Sequence, residues 1–247
     1  MHYQFLFVDK LYKLYIICNI HFIYTEISVD SDTAEEKPLM EPIAILVITI
    51  VSVIAFAWLL QGIRLYKSCK GDIYNDIYGS FLAYFYRYVV LRNCSESGYL
   101  RGKIGVHRIV YSSLTKEGGG KSKFCVIFYN KGIMVVSYDR ATGQYLGNPN
   151  QKNWNVIRPD KEGKNHTYRH PNPTADTKAY VARISKLFPG VHMEARIAFH
   201  NQADFSSLRT DIKPIHFSEL ADELTQVKAD FVSDSEIIAM HNLLVKG

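Results

Sequence analysis

The amino-acid sequence predicts an α/β protein in which a mixed sheet flanked by helices is preceded by one transmembrane helix. Three stretches carry that prediction. Residues 43–60, IAILVITIVSVIAFAWLL, run for 18 residues without a charge. Phe124 to Tyr129 and Ile133 to Tyr138 are short apolar runs separated by Asn130-Lys131-Gly132, the pattern of two buried strands joined by a hairpin turn. Helical spacing from about Ala175 to Phe188 then leads into Val191, Met193, Ala195, Ile197 and Phe199, which alternate with more polar residues as a strand with one well-buried face should.

At 247 residues and 28.3 kDa there is room for one ordinary globular domain and an accessory segment. Hydrophobic residues make up 47% and charged residues 21%, a balance that excludes an intrinsically disordered chain. The net charge of +5 permits contact with nucleic acid or anionic lipid but does not establish it, because a binding footprint must be clustered. Cys18, Cys69, Cys94 and Cys125 are scattered without a Cys-x-x-Cys, so neither a disulfide framework nor a zinc site is predicted, and a reducing compartment suits the globular part.

Taken in order, residues 1–39 form an N-terminal segment of unassigned structure. Its apolar run is broken by Asp9, Lys10 and Lys13, leaving about 11 residues from Leu14 to Tyr24, too few to span a bilayer. Thr25-Glu26-Ile27 supplies no signal-peptide cleavage site, and Met1 and Met40 are both candidate starts. Residues 40–63 are the predicted transmembrane helix, whose uncharged run at about 1.5 Å per residue approaches the roughly 30 Å hydrocarbon thickness of a bilayer. Arg64, Lys67 and Lys70 follow it, whereas Lys37 stands alone among Asp30, Asp32, Glu35, Glu36 and Glu41 before it. The positive-inside bias therefore predicts a single-pass protein with its C-terminal domain in the cytoplasm. Residues 64–98 are predicted as a juxtamembrane aromatic helix with Ile73, Ile77, Phe81 and Phe85 on one face. Arg87 disfavours a second span, since a mid-bilayer Arg costs about 2.5–3.5 kcal/mol on insertion scales, so this helix is expected on the membrane surface or against the domain.

In residues 99–247, Leu100-Arg101-Gly102-Lys103-Ile104-Gly105-Val106 opens a further pattern: Gly132-Ile133, Gly143, Gly147-Asn148, Gln151, Trp154 and Asn172-Pro173. At these intervals the chain resembles the nuclease-related domain family, NERD, whose fold belongs to the PD-(D/E)XK nuclease group. The resemblance implies that fold, with Gly132, Gly143, Gly147, Asn148, Gln151, Trp154, Asn172 and Pro173 as scaffold positions. It also places the family's Glu, Asp, Glu and Lys on Val106, Phe124, Ser137 and Asp139, and implies a helix starting at Val106 with Ile109, Val110 and Leu114 turned to the core. Asp176 departs from the family's Gln. Metal-assisted phosphodiester hydrolysis needs carboxylates around a hard cation and a Lys beside the attacking water. None of the four positions keeps its group, so no catalytic residue and no cofactor is expected. The expected role is binding, of DNA or RNA or of a membrane-proximal protein partner. Two alternatives stand beside it. One is an active nuclease with a site rebuilt from Asp139 and either Glu117 or Asp160, requiring Mg²⁺ or Mn²⁺. The other is a membrane-attached protein-interaction module with no nucleic-acid role.

Other candidate motifs carry less. Lys116 to Ser122, KEGGGKS, lacks the first Gly of a phosphate loop and reads as a connecting loop. His166 and His170 are four apart but precede Pro171 with no accompanying carboxylate motif, and read as solvated loop histidines. The helix near 175–188 is expected to bury Ala179, Ala182, Leu187 and Phe188 and to expose Lys178, Arg183 and Lys186. Two closing helices open at Ser218 and Ser233.

Overall fold

The computed structural model describes residues 40–115, 121–229 and 231–246. The expectations for residues 1–39, for Glu117 and for the loop at 116–120 lie outside them. Two compact units divide the chain, residues 1–58 and 59–247, and helix α1 (Met40–Cys69) runs through the boundary. From Ile45 to Cys69 α1 is long and apolar enough to cross a membrane, and its apolar stretch is not buried in protein. Thr49 donates its hydroxyl to the Ile45 carbonyl at 2.8 Å, which satisfies it within the helix.

The juxtamembrane stretch is not one helix. Gly79 sits at φ 77, where a β-carbon would meet the Tyr99 side chain at 3.1 Å, and the chain turns there. Helix α2 (Tyr74–Tyr78) precedes the turn. Helix α3 (Phe81–Phe85) follows it, opened by Ser80, whose hydroxyl accepts from the Ala83 N–H at 3.2 Å, and it continues as one π-helical turn over Tyr86–Val90. Ile73, Ile77, Tyr78 and Tyr84 are buried, so much of the stretch packs against the domain.

Sheet A has the order β1-β2-β3-β7-β9: β1 (His107–Thr115), β2 (Lys121–Tyr129), β3 (Gly132–Asp139), β7 (Met193–Phe199) and β9 (Pro214–His216). The pairs β1/β2 and β2/β3 are antiparallel, and β3/β7 and β7/β9 are parallel. Side chains alternate across it with period two. Phe124, Val126, Phe128, Ile133 and Val135 face helices α5 (Thr174–Leu187) and α7 (Asp234–Lys246). Cys125, Ile127, Tyr129, Met134 and Val136 face α2, α3, α4 (Gly98–Ile104) and α6 (Leu220–Gln226). Covering on both faces is why β2 and β3 read as unbroken apolar runs. Ala198 is buried as well as Ile197 and Phe199, so β7 also has two covered faces rather than the one expected.

The helix expected from Val106 is strand β1. Ile109 and Val110 are β-branched neighbours serving opposite layers, Ile109 the α2–α4 side and Val110 the α5 side. The observed helix is α4, just before it. Ser97 caps α4 by accepting from the Leu100 N–H at 3.1 Å, and its own N–H donates to His107 Nε2 at 2.9 Å. Helix α5 forms where expected with its face rotated. Thr177, Tyr180, Ile184 and Phe188 are buried, whereas Ala179, Ala182 and Leu187 are exposed. Tyr180 stacks on Phe124 at 4.4 Å, which fixes that rotation. Helix α7 opens at Ser233, which exchanges hydrogen bonds with Glu236. A 3-10 turn at Phe217–Glu219 leads into α6 beside Ser218.

Sheet B has the order β6-β5-β4-β8: β4 (Gly143–Leu146), β5 (Asn153–Pro159), β6 (Asn165–Pro171) and β8 (Ala203–Asp204). Tyr145, Trp154 and Val156 pack with Ile197 and Phe199, which ties this sheet to the C-terminal end of β7.

Candidate functional site

Of the expected scaffold positions, Gly147, Asn148, Gln151, Trp154, Asn172 and Pro173 meet in one knot at the base of sheet B, and Gly132 and Gly143 lie apart from it. The Trp154 indole N–H donates to the Asn148 carbonyl at 3.1 Å, and Gln151 Oε1 accepts from the Asn148 N–H at 3.1 Å. Asn172 Nδ2 donates to the Gln151 carbonyl at 2.8 Å and the Pro149 carbonyl at 3.1 Å, while its Oδ1 accepts from the Thr174 N–H at 2.9 Å. Pro173 then begins α5. Gly147 lies under the indole, so a β-carbon there would fall 2.3 Å from Trp154 Cδ1. Gly132 and Gly143, both at φ 114, approach the carbonyls of His192 and Ile157 so closely that a β-carbon would come within 2.2 and 2.4 Å of their oxygens. These are positions for glycine on steric grounds alone.

Phe124 and Ser137 are direct partners across β2 and β3. Asp139, two residues beyond Ser137, falls on the same side of β3, and Val106 packs against the cluster that holds Phe124. Three of the four positions thus fall on adjacent strands and one face. Phe124 is fully buried and Ser137 is 3% exposed, and neither Val106 nor Phe124 has an atom that can ligate a metal. This donor set does not fit the hard cation that the resemblance implies.

Asp139, by contrast, is fully partnered. It closes β3 where the chain leaves sheet A for sheet B, and its carboxylate pairs with His170 Nε2. The Ala141 N–H donates to it at 3.0 Å. The Tyr145 hydroxyl stands 2.8 Å from Oδ2 and 3.1 Å from the Ala141 carbonyl, with one proton for two acceptors. Burial opposes its charge, yet the His170 contact, the Ala141 N–H and Tyr145 together hold the carboxyl below its ordinary range. It is a locked anion, not a general base or a vacant ligand.

His166 and His170 are on strand β6 rather than in a loop. Four residues along a strand is roughly 13 Å, too far to share an ion. Each has its own carboxylate: His170 takes Asp139, and His166 takes Asp160 at 2.7 Å. Asp160 caps the β5–β6 turn by accepting from the N–H groups of Glu162 and Lys164, and the His166 contact leads in holding its carboxyl low. Both carboxylates of the rebuilt-site alternative that fall among the described residues are therefore engaged. Among those residues no three His, Cys, Asp or Glu side chains are grouped to hold a metal.

A cleft of about 380 Å³ opens beside Asp139, lined by Lys70, Arg140, Ala141, Thr142, Arg158 and His170 as well as Asp139 itself. The Arg158 guanidinium lies over the Tyr168 ring at 4.9 Å, and its Nε is buried with no protein acceptor. Tyr168 is 45% exposed. From Lys152 to His170 the chain carries five Lys or Arg against two acids. A larger groove of about 500 Å³ beside β1, lined by Ile109, Tyr180, Arg183 and His241 among others, has no comparable convergence of charge. Lys178, on the exposed face of α5, pairs with Asp211 at 2.6 Å. Sequence reasoning passed over the cleft. Its one local signal was Asp160 to Gly163, an Asp-opened turn closing on Gly between two polar-apolar runs, which marks a hairpin and would have set His166, Tyr168 and His170 on one face.

No family model, curated protein or solved structure matches the chain.

Proposed function

We propose that this is a membrane-anchored, NERD-like protein on a PD-(D/E)XK-like scaffold that binds nucleic acid without cleaving it, with its globular domain on the cytoplasmic side. The observation that carries the reading is the contrast between two neighbouring places. The row of Val106, Phe124 and Ser137 is packed into the apolar core and offers no carboxylate to a metal, while the cleft at Asp139 gathers Lys70, Arg140 and Arg158 around a carboxylate already engaged by His170, Ala141 and Tyr145. The placement of Phe124, Ser137 and Asp139 on one face with Val106 packed against it, and the meeting of Gly147, Asn148, Gln151, Trp154, Asn172 and Pro173 in one knot, support the resemblance. Cationic groups beside an exposed aromatic ring suit a phosphate backbone with a base stacked nearby. The exposed apolar length of α1 supports membrane attachment, and Arg64, Lys67 and Lys70 favour the cytoplasmic orientation.

The test is a salt titration of the full chain in lipid nanodiscs against single-stranded and duplex oligonucleotides. Binding through phosphates gives a log K that falls linearly with log salt, by about 0.7 per phosphate for single strands and about 0.9 for duplex. Arg140→Ala is expected to weaken binding and to flatten that slope. Flat salt dependence, or no binding by any oligonucleotide, would turn the reading toward a protein partner.

A further inference from the structure

The exposed residues of the aromatic segment after α2 form a pattern that the globular domain does not use. Phe81 packs edge-on against Tyr66 of α1 at 5.1 Å, and a side chain at Gly62 would meet the Phe85 ring at 3.5 Å. Residue numbers rise along one helix as they fall along the other, so Phe81 to Leu91 runs antiparallel to the C-terminal end of α1. Phe81 stands beside Tyr66 and Phe85 beside Gly62, both within the candidate span Ile45–Cys69, so the segment runs back along the C-terminal turns of α1. Beyond Phe85 the segment continues as the π-helical turn to Val90 and ends at Leu91. At that end Tyr86, Tyr88, Val90 and Leu91 are exposed, against the usual tendency of such side chains to be covered. Arg92, at φ 49 the one non-glycine residue with positive φ among the described residues, then reverses the chain, and the Asn93 N–H returns to the Arg87 carbonyl at 3.0 Å.

We propose that Phe81–Leu91 is a second membrane contact, a short aromatic hairpin that dips back into the leaflet from which α1 emerges, with the headgroup and acyl boundary of the bilayer as its occupant. This rests on the reading of α1 as a membrane span. Continuity with α1 selects lipid rather than a protein partner, because the segment that carries the exposed tip packs on the C-terminal turns of the candidate span itself. Amphipathic segments of this kind settle at a depth of roughly 5–10 Å. Arg87 and Arg92 set the limit: their long side chains reach headgroup phosphates from that depth but oppose entry into the hydrocarbon centre. Tyrosine suits the same zone, having an apolar ring and a polar tip.

The experiment uses the full chain reconstituted into phosphatidylcholine–phosphatidylglycerol vesicles, with Cys18, Cys69 and Cys94 changed to Ser and the buried Cys125 kept. A small fluorophore is placed singly at Tyr86→Cys, Val90→Cys, Val51→Cys in the span, or Leu187→Cys on the exposed face of α5. Brominated acyl chains are expected to remove most of the emission at positions 51, 86 and 90 and little at 187, and aqueous iodide to give the reverse order. If 51 is quenched by bromolipid while 86 and 90 behave like 187, the hairpin lies in water and the proposal is wrong although the span stands. If 51 itself is not quenched, the span reading fails and takes the proposal with it. A photoreactive diazirine residue at position 86 in the chain with all native cysteines gives an independent readout. Lipid adducts are expected, and their absence while adducts form at position 51 would overturn the proposal.

Discussion

At Asp139 a single carboxylate holds two sheets together, and its loss has a calculable sign. Its folded pKa lies below the unfolded value of about 3.9, so the stability it contributes is present above that pH and is lost as pH falls through the folded pKa. Asp139→Asn removes this acid limb and weakens the contacts that His170, Ala141 and Tyr145 make with the carboxylate, at a cost of about 1–3 kcal/mol at neutral pH. Urea unfolding of the detergent-solubilised chain, repeated from pH 7 to 3, measures both effects. Gly147 is set by contact instead. Gly147→Ala drives a methyl group into the Trp154 ring and is expected to cost about 1–3 kcal/mol in the same assay. Phe124 gives the sharpest contrast with an active nuclease. Phe124→Asp, which introduces the acid that the proposed resemblance places there, leaves an unpaired charge against Tyr180 and is expected to destabilise by about 3–5 kcal/mol without producing cleavage. The glycines and Trp154 were legible as motif positions because steric demands leave a mark at single residues. The partner of Asp139 was not, because His170 reaches it only through strand pairing.

Helix α4 and strand β1 are joined through one buried imidazole, which makes that junction sensitive to acid. His107 Nδ1 lies 2.9 Å from the Gly105 carbonyl, and Nε2 accepts from the Ser97 N–H. In the neutral ring both bonds are satisfied, whereas a proton on Nε2 would face the Ser97 donor. Burial holds His107 below the ordinary imidazole value. Below about pH 6.5 the unfolded chain therefore binds a proton that the folded chain resists, so stability falls with pH from there down to the folded pKa. His107→Gln should flatten the dependence of stability on pH that sets in below about pH 6.5. The strands β2 and β3 and the helices α5 and α7 were legible from period and capping. Strand β1 was not, because Ile109, Val110 and Leu114 also fit one helical face, and only pairing with β2 decides between the two. The face of α5 was misjudged for a related reason: alanines satisfy a helical period, but Tyr180 makes the contact that decides the rotation.

Over the whole molecule, an exposed apolar helix, a sheet covered on both faces and a cationic cleft at its end fit a binding protein held at a membrane. The α/β class and the one long apolar helix among the described residues could be read from the sequence, since both depend on local runs of residues. The cleft could not, because Lys70, Arg140, Arg158 and His170 come from α1, the β3–β4 connection, β5 and β6, and meet only in the folded chain. The central claim is binding without hydrolysis. It is tested most directly by incubating the full chain in nanodiscs with end-labelled duplex DNA, single-stranded DNA and RNA, with and without Mg²⁺ or Mn²⁺, and scoring retention and cleavage together. The expected result is retention of intact strands that is lost at high salt and unchanged by EDTA. Cleavage that EDTA abolishes and that Asp139→Ala removes would contradict it.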